Sequence, residues 1–203
     1  MKTMNSAKEL GNFDKKFEKV FSLFKNNIES GEEVGASFAV FHEGRLVIDL
    51  YGGYRDKAKT KVWDQNTIVN IHSTSKGLVA MIIAHLIDKG QINLDENVAT
   101  YWPEFAQAGK ENIKVRTLLS HQAGLYGWKE KIDELDFYRW DYVVDLLAKQ
   151  EPFHDPGQEI CYHPKTIGFL VGELIRRVTK QTVGSFLKEN LSDPLDAKCF
   201  IGT

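Results

Sequence analysis

A chain of 203 residues, 42% apolar and 27% charged, suits one folded domain of two lobes. Its net charge of −2, with no long run of one sign, argues against nucleic acid or an anionic membrane as a partner. No apolar run approaches the ~20 residues needed to span a bilayer. The opening segment "MKTMNSAKELGNFDKKFEKV" lacks the apolar core of a secretory signal. Cys161 and Cys199 form no Cys-x-x-Cys and have no metal-ligand spacing with histidine, so they read as free thiols. The expected setting is the cytoplasm, with no metal or cofactor.

In chain order, Phe13, Phe17, Val20, Phe21, Phe24 and Ile28 fall on one face of an amphipathic helix. Asn12 is its expected cap, and Gly31 lies just past its end. "SFAVFHEGRLVIDLYGGY" reads as a hairpin: residues 37–42 and 45–51 are strands around a Glu43-Gly44 turn. Such a hairpin needs a further sheet partner, and none is evident in this sequence. A second helix is expected from about Ser73 to Gly90, apolar over most of its surface from Leu78 to Ile87 and therefore buried. "NVATYWPEF" reads as a loop stopped by Pro103, and "KVRTLLSHQAGL" as a short helix ended by Gly124. "WDYVVDLLAKQ" and "TIGFLVGELIRRVTK" are amphipathic helices, with one more over residues 183–190. Arg176-Arg177 is expected on a solvated helix face. Trp102, Trp128 and Trp140 read as core, with a substrate wall as the alternative.

One polar knot interrupts the apolar runs of "NTIVNIHSTSKGLVAMIIAHLIDKG". It contains Ser-x-x-Lys, a weak motif that occurs three times, starting at Ser22, Ser73 and Ser185. Context separates them. Ser22 lies inside the first amphipathic helix, and Ser185 in a polar turn. Ser73 stands where a strand-like run meets a helix N-terminus. One helical turn puts Lys76 within reach of the Ser73 hydroxyl. The free N–H groups and partial positive charge of the helix start can stabilise an oxyanion there. Burial and the same dipole would favour the neutral amine, a usable base. The tetrapeptide alone fits better an N-cap serine followed by a first-turn lysine.

A second segment, "DPGQEICYHPKTIGFLVGELIRRVTKQTVGSFLKENLSDPLDA", delivers Tyr162 from a Pro-Gly turn just before a helix. Together with "STSKGLVAMIIAHLIDKGQINLDENVATYWPEF" and "IKVRTLLSHQAGL", it resembles the serine β-lactamase-like family. That family comprises class C β-lactamases, D-alanyl-D-alanine peptidases and family VIII carboxylesterases. The resemblance covers residues 13 to 203, and "YHPKTIGFLVGELIRRV" is most like the carboxylesterase branch. It implies an α/β (α+β) fold of the β-lactamase/transpeptidase type, a helical lobe beside an antiparallel sheet. Residues 12–52 would supply the first helix and hairpin of that sheet, and residues 66–203 the mainly helical lobe. It also implies that Ser73 is acylated, that Lys76 is its general base, and that Tyr162, matching the tyrosine of Tyr-x-Asn, relays protons. His121 would be a structural hydrogen-bonder. His163, beside Tyr162, is a candidate substrate contact.

Two departures shape the expectation. Pro164 replaces the asparagine of Tyr-x-Asn, leaving no amide to grip a lactam side chain or orient Lys76; this favours esters. The family's third motif, a Lys-Thr-Gly-type strand that supplies an oxyanion N–H, has no counterpart within these 203 residues. The chain is therefore expected to match the N-terminal half of a family member and to be close to inactive by itself. The sequence reads as a serine hydrolase of small acyl esters. A β-lactamase or peptidase, and a catalytically dead binding protein that keeps the helical lobe, are the alternatives. The partner is a small-molecule ester or lactam; the oligomeric state is left open.

Overall fold

A computed structural model describes residues 10–202 of the chain; the first nine residues of the segment read as lacking a signal lie outside them. The chain divides into two compact units, Met1–Val69 and Asn70–Thr203.

The first unit is a three-stranded antiparallel sheet with one helix. Strands β2 (Gly35–His42) and β3 (Arg45–Gly53) form the expected hairpin. Glu43 and Gly44 both have positive φ, 52° and 73°, as a two-residue turn matched to strand twist demands. The sheet partner that the sequence did not reveal is β1, Gly11–Phe13, which pairs along Leu50 to Ile48 and gives the order β1-β3-β2. Phe13 and Asn12 are thus strand residues, not the start and cap of a helix. Helix α1 begins later, over Glu18–Ser30 after a 3-10 turn at Lys15–Phe17. It ends on Gly31 at φ 80°, a left-handed cap that glycine adopts without a Cβ penalty. The apolar stripe still does its expected work: Phe21 packs on Val47, Ile48 and Leu50, and stacks on Phe13 with ring centroids 4.4 Å apart.

The second unit is helical. A 3-10 turn at His72–Thr74 leads into α2 (Ser75–Asp88). There follow α3 (Val98–Tyr101), α4 (Val115–Leu119), α5 (Trp140–Lys149), α6 (Thr166–Thr179) and α7 (Val183–Leu187). The segment read as a loop before Pro103 is instead α3 plus a 3-10 turn at Pro103–Phe105, with proline at the N-terminal position its missing N–H suits. It buries Trp102 and Phe105 completely. Helix α2 turns Ile82, Ile83 and Leu86 into the core, while Ala80, Met81 and Ala84 face solvent. It is half-buried rather than wrapped, because apolar content reports an appetite for burial but not how many sides are covered. Among the described residues, no helix is long and apolar enough to cross a membrane.

Helix α6 is the axis of this unit, burying Ile167, Leu170, Val171, Leu174 and Ile175. Its Glu173 is also buried. That carboxylate accepts from Trp140 Nε1 (2.8 Å), Arg176 Nε (2.7 Å) and Arg177 Nε (2.6 Å). The arginines reach on to Asp141 and Glu104. They are half-buried ion-pair partners and not the freely solvated pair expected from sequence. All three tryptophans of this unit pack in or against its core.

Candidate active site

The knot becomes a turn under local strain. His72 adopts φ 45°, the left-handed region that non-glycine residues rarely occupy and that clusters at functional sites. Its neighbours clamp it: Asn70 Oδ1 accepts the His72 N–H at 2.9 Å, and the Ser75 hydroxyl donates to the His72 carbonyl. Ser75 is thereby engaged with main chain. The Ser73 side chain, one residue past the strained position, is left exposed at the start of α2.

Two donors converge on it. Lys76 Nζ donates to Ser73 Oγ at 3.0 Å, and the Tyr162 hydroxyl, 89 residues away in sequence, donates to the same oxygen at 2.8 Å. The other two Ser-x-x-Lys sites do nothing of the kind. Lys25 pairs with Glu29, and Lys188 with Asp193, while Ser185 serves the Thr182 cap of α7. The structure therefore separates three identical spacings by what each lysine finds within reach.

Lys76 Nζ also donates to the Pro164 carbonyl at 3.1 Å and sits 5.0 Å from the Tyr162 ring centroid. This corrects the expectation that Pro164 leaves Lys76 without an orienting group: the main-chain oxygen takes that task. No residue-type signal could have revealed it, since every residue carries a carbonyl. Lys76 first, then Ser73, hold the Tyr162 hydroxyl below the ordinary phenol range by hydrogen bonding to its ionised form.

His163 is the candidate substrate contact beside Tyr162, but its ring is buried. Nδ1 faces the Cys161 carbonyl, and Nε2 accepts the Leu125 N–H at 3.1 Å. With both ring nitrogens spent on main chain, it offers nothing to a ligand. Burial pushes it down to about 4, so it is neutral at physiological pH. His121 lies between this ring and Tyr162. Helix α4 ends at Leu119 with Ser120 as its cap, not at Gly124, and His121 just beyond it turns left-handed at φ 62°. Cys161 and Cys199 are both free.

The comparisons with known proteins fall on this geometry. The family model described as Beta-lactamase matches residues 20–200. The chain is 32% identical over 186 residues to the Esterase/beta-lactamase LipL of Mycobacterium tuberculosis (strain ATCC 25618 / H37Rv), covering 92% of this chain and 43% of that protein. Among solved structures, a family VIII carboxylesterase superposes with a TM-score of 0.86 at 41% identity, over 91% of this chain and 51% of that one. A penicillin-binding protein homologue from Caulobacter crescentus gives 0.91 at 39%, over 95% and 52%. The chain thus spans about half the length of the proteins it matches, and its fold is of the β-lactamase/transpeptidase type. The chain belongs to the beta-lactamase family.

Proposed function

We propose that this chain carries the acylation centre of a serine hydrolase that cleaves small acyl esters. The observation that carries this reading is the convergence of Lys76 and Tyr162 on Ser73 Oγ. A serine oxygen that accepts from both keeps its own proton free. Attack requires that proton to leave. The hydroxyl contact is short enough to run in either direction, and the pull of Lys76 on Tyr162 makes the phenolate accessible. Once ionised, Tyr162 accepts the serine proton as Oγ adds to the ester carbonyl carbon. It then returns that proton to the leaving alkoxide oxygen. Water repeats the cycle on the acyl-enzyme. The free N–H groups and partial positive charge at the start of α2 can stabilise the ester carbonyl oxygen as it becomes anionic. No metal or cofactor is needed for these steps. Two free cysteines suit a reducing compartment, in keeping with the cytoplasm.

A fluorophosphonate probe applied to the complete protein is expected to raise its intact mass by one adduct. Ser73→Ala should abolish the adduct. Labelling that survives Ser73→Ala and maps to Ser75 would overturn the assignment. No labelling at all in the wild type would favour the binding-protein alternative.

β-lactam hydrolysis is the second reading, favoured by the esterase/beta-lactamase relative. Pro164 weighs against it, because its carbonyl is spent on Lys76 and it has no side-chain amide to hold a lactam's acylamino group. The expected result is a higher kcat/KM for a short p-nitrophenyl ester than for a chromogenic cephalosporin. The reverse order would move the protein to the β-lactamase reading.

A further inference from the structure

We propose that His121 is a positioning residue for Tyr162: it fixes the main chain on both sides of the tyrosine and so keeps its hydroxyl on Ser73. The inference rests on the catalytic reading of Tyr162 given above. Tyr162 lies in an irregular segment, so no helix or sheet ladder sets its position. It is also half-exposed, at 51%, so core packing does not set it either. Something else must hold the hydroxyl at 2.8 Å from Ser73 Oγ.

His121 supplies two of the needed ties. Its carbonyl accepts the Cys161 N–H at 3.0 Å, and its Nδ1 accepts the His163 N–H at 3.1 Å. The residues immediately before and after Tyr162 are therefore both bound to one residue, 40 and 42 positions earlier in the chain. The imidazole also packs against the tyrosine ring, with centroids 5.0 Å apart. From below, His163 closes the loop: Nε2 accepts from Leu125, so Nδ1 carries the proton and donates to the Cys161 carbonyl. The left-handed backbone at His121 turns carbonyl and ring together toward residues 161–163, and a β-branched residue would resist that conformation.

The tie requires a neutral imidazole, since a protonated Nδ1 donates and cannot accept. The ionisable groups facing His121 are Lys76 from α2 and Cys161, Tyr162 and His163 from the opposing segment. No carboxylate is among them. Burial, then the Lys76 charge, holds His121 below the ordinary histidine range, which keeps the acceptor in place at physiological pH.

The test compares His121→Phe, which keeps a ring but loses the acceptor, with His121→Asn. Asparagine tolerates the left-handed backbone, and its Oδ1 can stand where Nδ1 stood. In the complete protein, His121→Phe is expected to lower kcat by about tenfold to 10²-fold, the scale of a small misplacement of a reacting group, with KM little changed. His121→Asn should recover most of the loss. Amide hydrogen exchange at Cys161 and His163 should speed up in His121→Phe and return toward the wild-type rate in His121→Asn. If His121→Phe does not fold, His121→Ala takes its place with the same readouts. Faster exchange with kcat unchanged would overturn the inference, and so would a fall in kcat that His121→Asn fails to rescue. Unimpaired turnover in Tyr162→Phe would instead sink the catalytic reading beneath it, while exchange still reports on the tie itself.

Discussion

Lys76→Ala and Tyr162→Phe are each expected to lower kcat of the complete enzyme by about 10²-fold or more, the range for loss of a general acid–base group. Both changes leave Ser73 and the start of α2 in place, so the loss should appear in kcat more than in KM. The two side chains are not independent. Both donate to one oxygen, and Lys76 is the leading cause of the depressed Tyr162 hydroxyl. Removing the lysine therefore also returns Tyr162 toward the ordinary phenol range and starves the reaction of phenolate at neutral pH. The sign follows for the pH profile. With Lys76 present, phenolate-dependent activity rises at a pH below the ordinary phenol pKa; in Lys76→Ala that rise should move to higher pH. The double variant should lose little beyond the worse single one, because groups that share a proton path fail as a unit. Steady-state kinetics on a p-nitrophenyl ester across pH tests all three statements. Fully multiplicative losses, with no alkaline movement in Lys76→Ala, would show that the two groups do not share a path.

Glu173→Ala is expected to destabilise the protein by about 3–5 kcal/mol, the cost of breaking a buried ion pair from one side. The carboxylate is buried and holds three donors: Trp140, Arg176 and Arg177. Alanine would leave two half-buried guanidinium groups side by side with only Asp141 and Glu104 as partners, and an indole N–H unpaired. Glu173→Gln keeps an acceptor and should cost less. Burial alone would raise this carboxyl, but hydrogen bonds from Arg176, Trp140 and Arg177 outweigh it and hold it below the ordinary range. A carboxyl depressed on folding contributes stability that is fully present above its unfolded pKa and lost as pH falls through the folded value. Glu173→Gln should accordingly flatten the acid limb of stability. Urea unfolding at pH 7 and along the acid limb measures both effects. A loss below 1 kcal/mol in Glu173→Ala at pH 7 would contradict the account.

Local signals carried a large part of the architecture. Alternating residues around Glu43-Gly44 placed the hairpin, and apolar periodicity placed α2, α5 and α6. These elements are decided by residues within a few positions of one another, through turn dihedrals and the face a helix must bury. Strand β1 left no such trace: three residues are too few to show a period, and they become a strand only because β3 offers a free edge. Lys110 is similar. Nothing in "AGKEN" marks a buried lysine, yet it is enclosed, with its ammonium on the Gln107 and Gln150 carbonyls and burial pushing it down to about 8.

The site divides along the same line. Ser73 and Lys76 could be nominated from sequence because one helical turn guarantees their proximity, and their place where a strand-like run meets a helix N-terminus chose them over two identical spacings. What the sequence by itself determined is therefore which residues can meet within a turn, a strand or a helix face. Only the tertiary structure decided that the Pro164 carbonyl orients Lys76 across 88 positions, that His163 is buried while Tyr162 is exposed, and that His121 grips both flanks of that tyrosine. Those contacts use main-chain groups that every residue carries, so residue identity cannot announce them. They exist because the chain returns to one place, and that return is set by the packing of whole helices against each other.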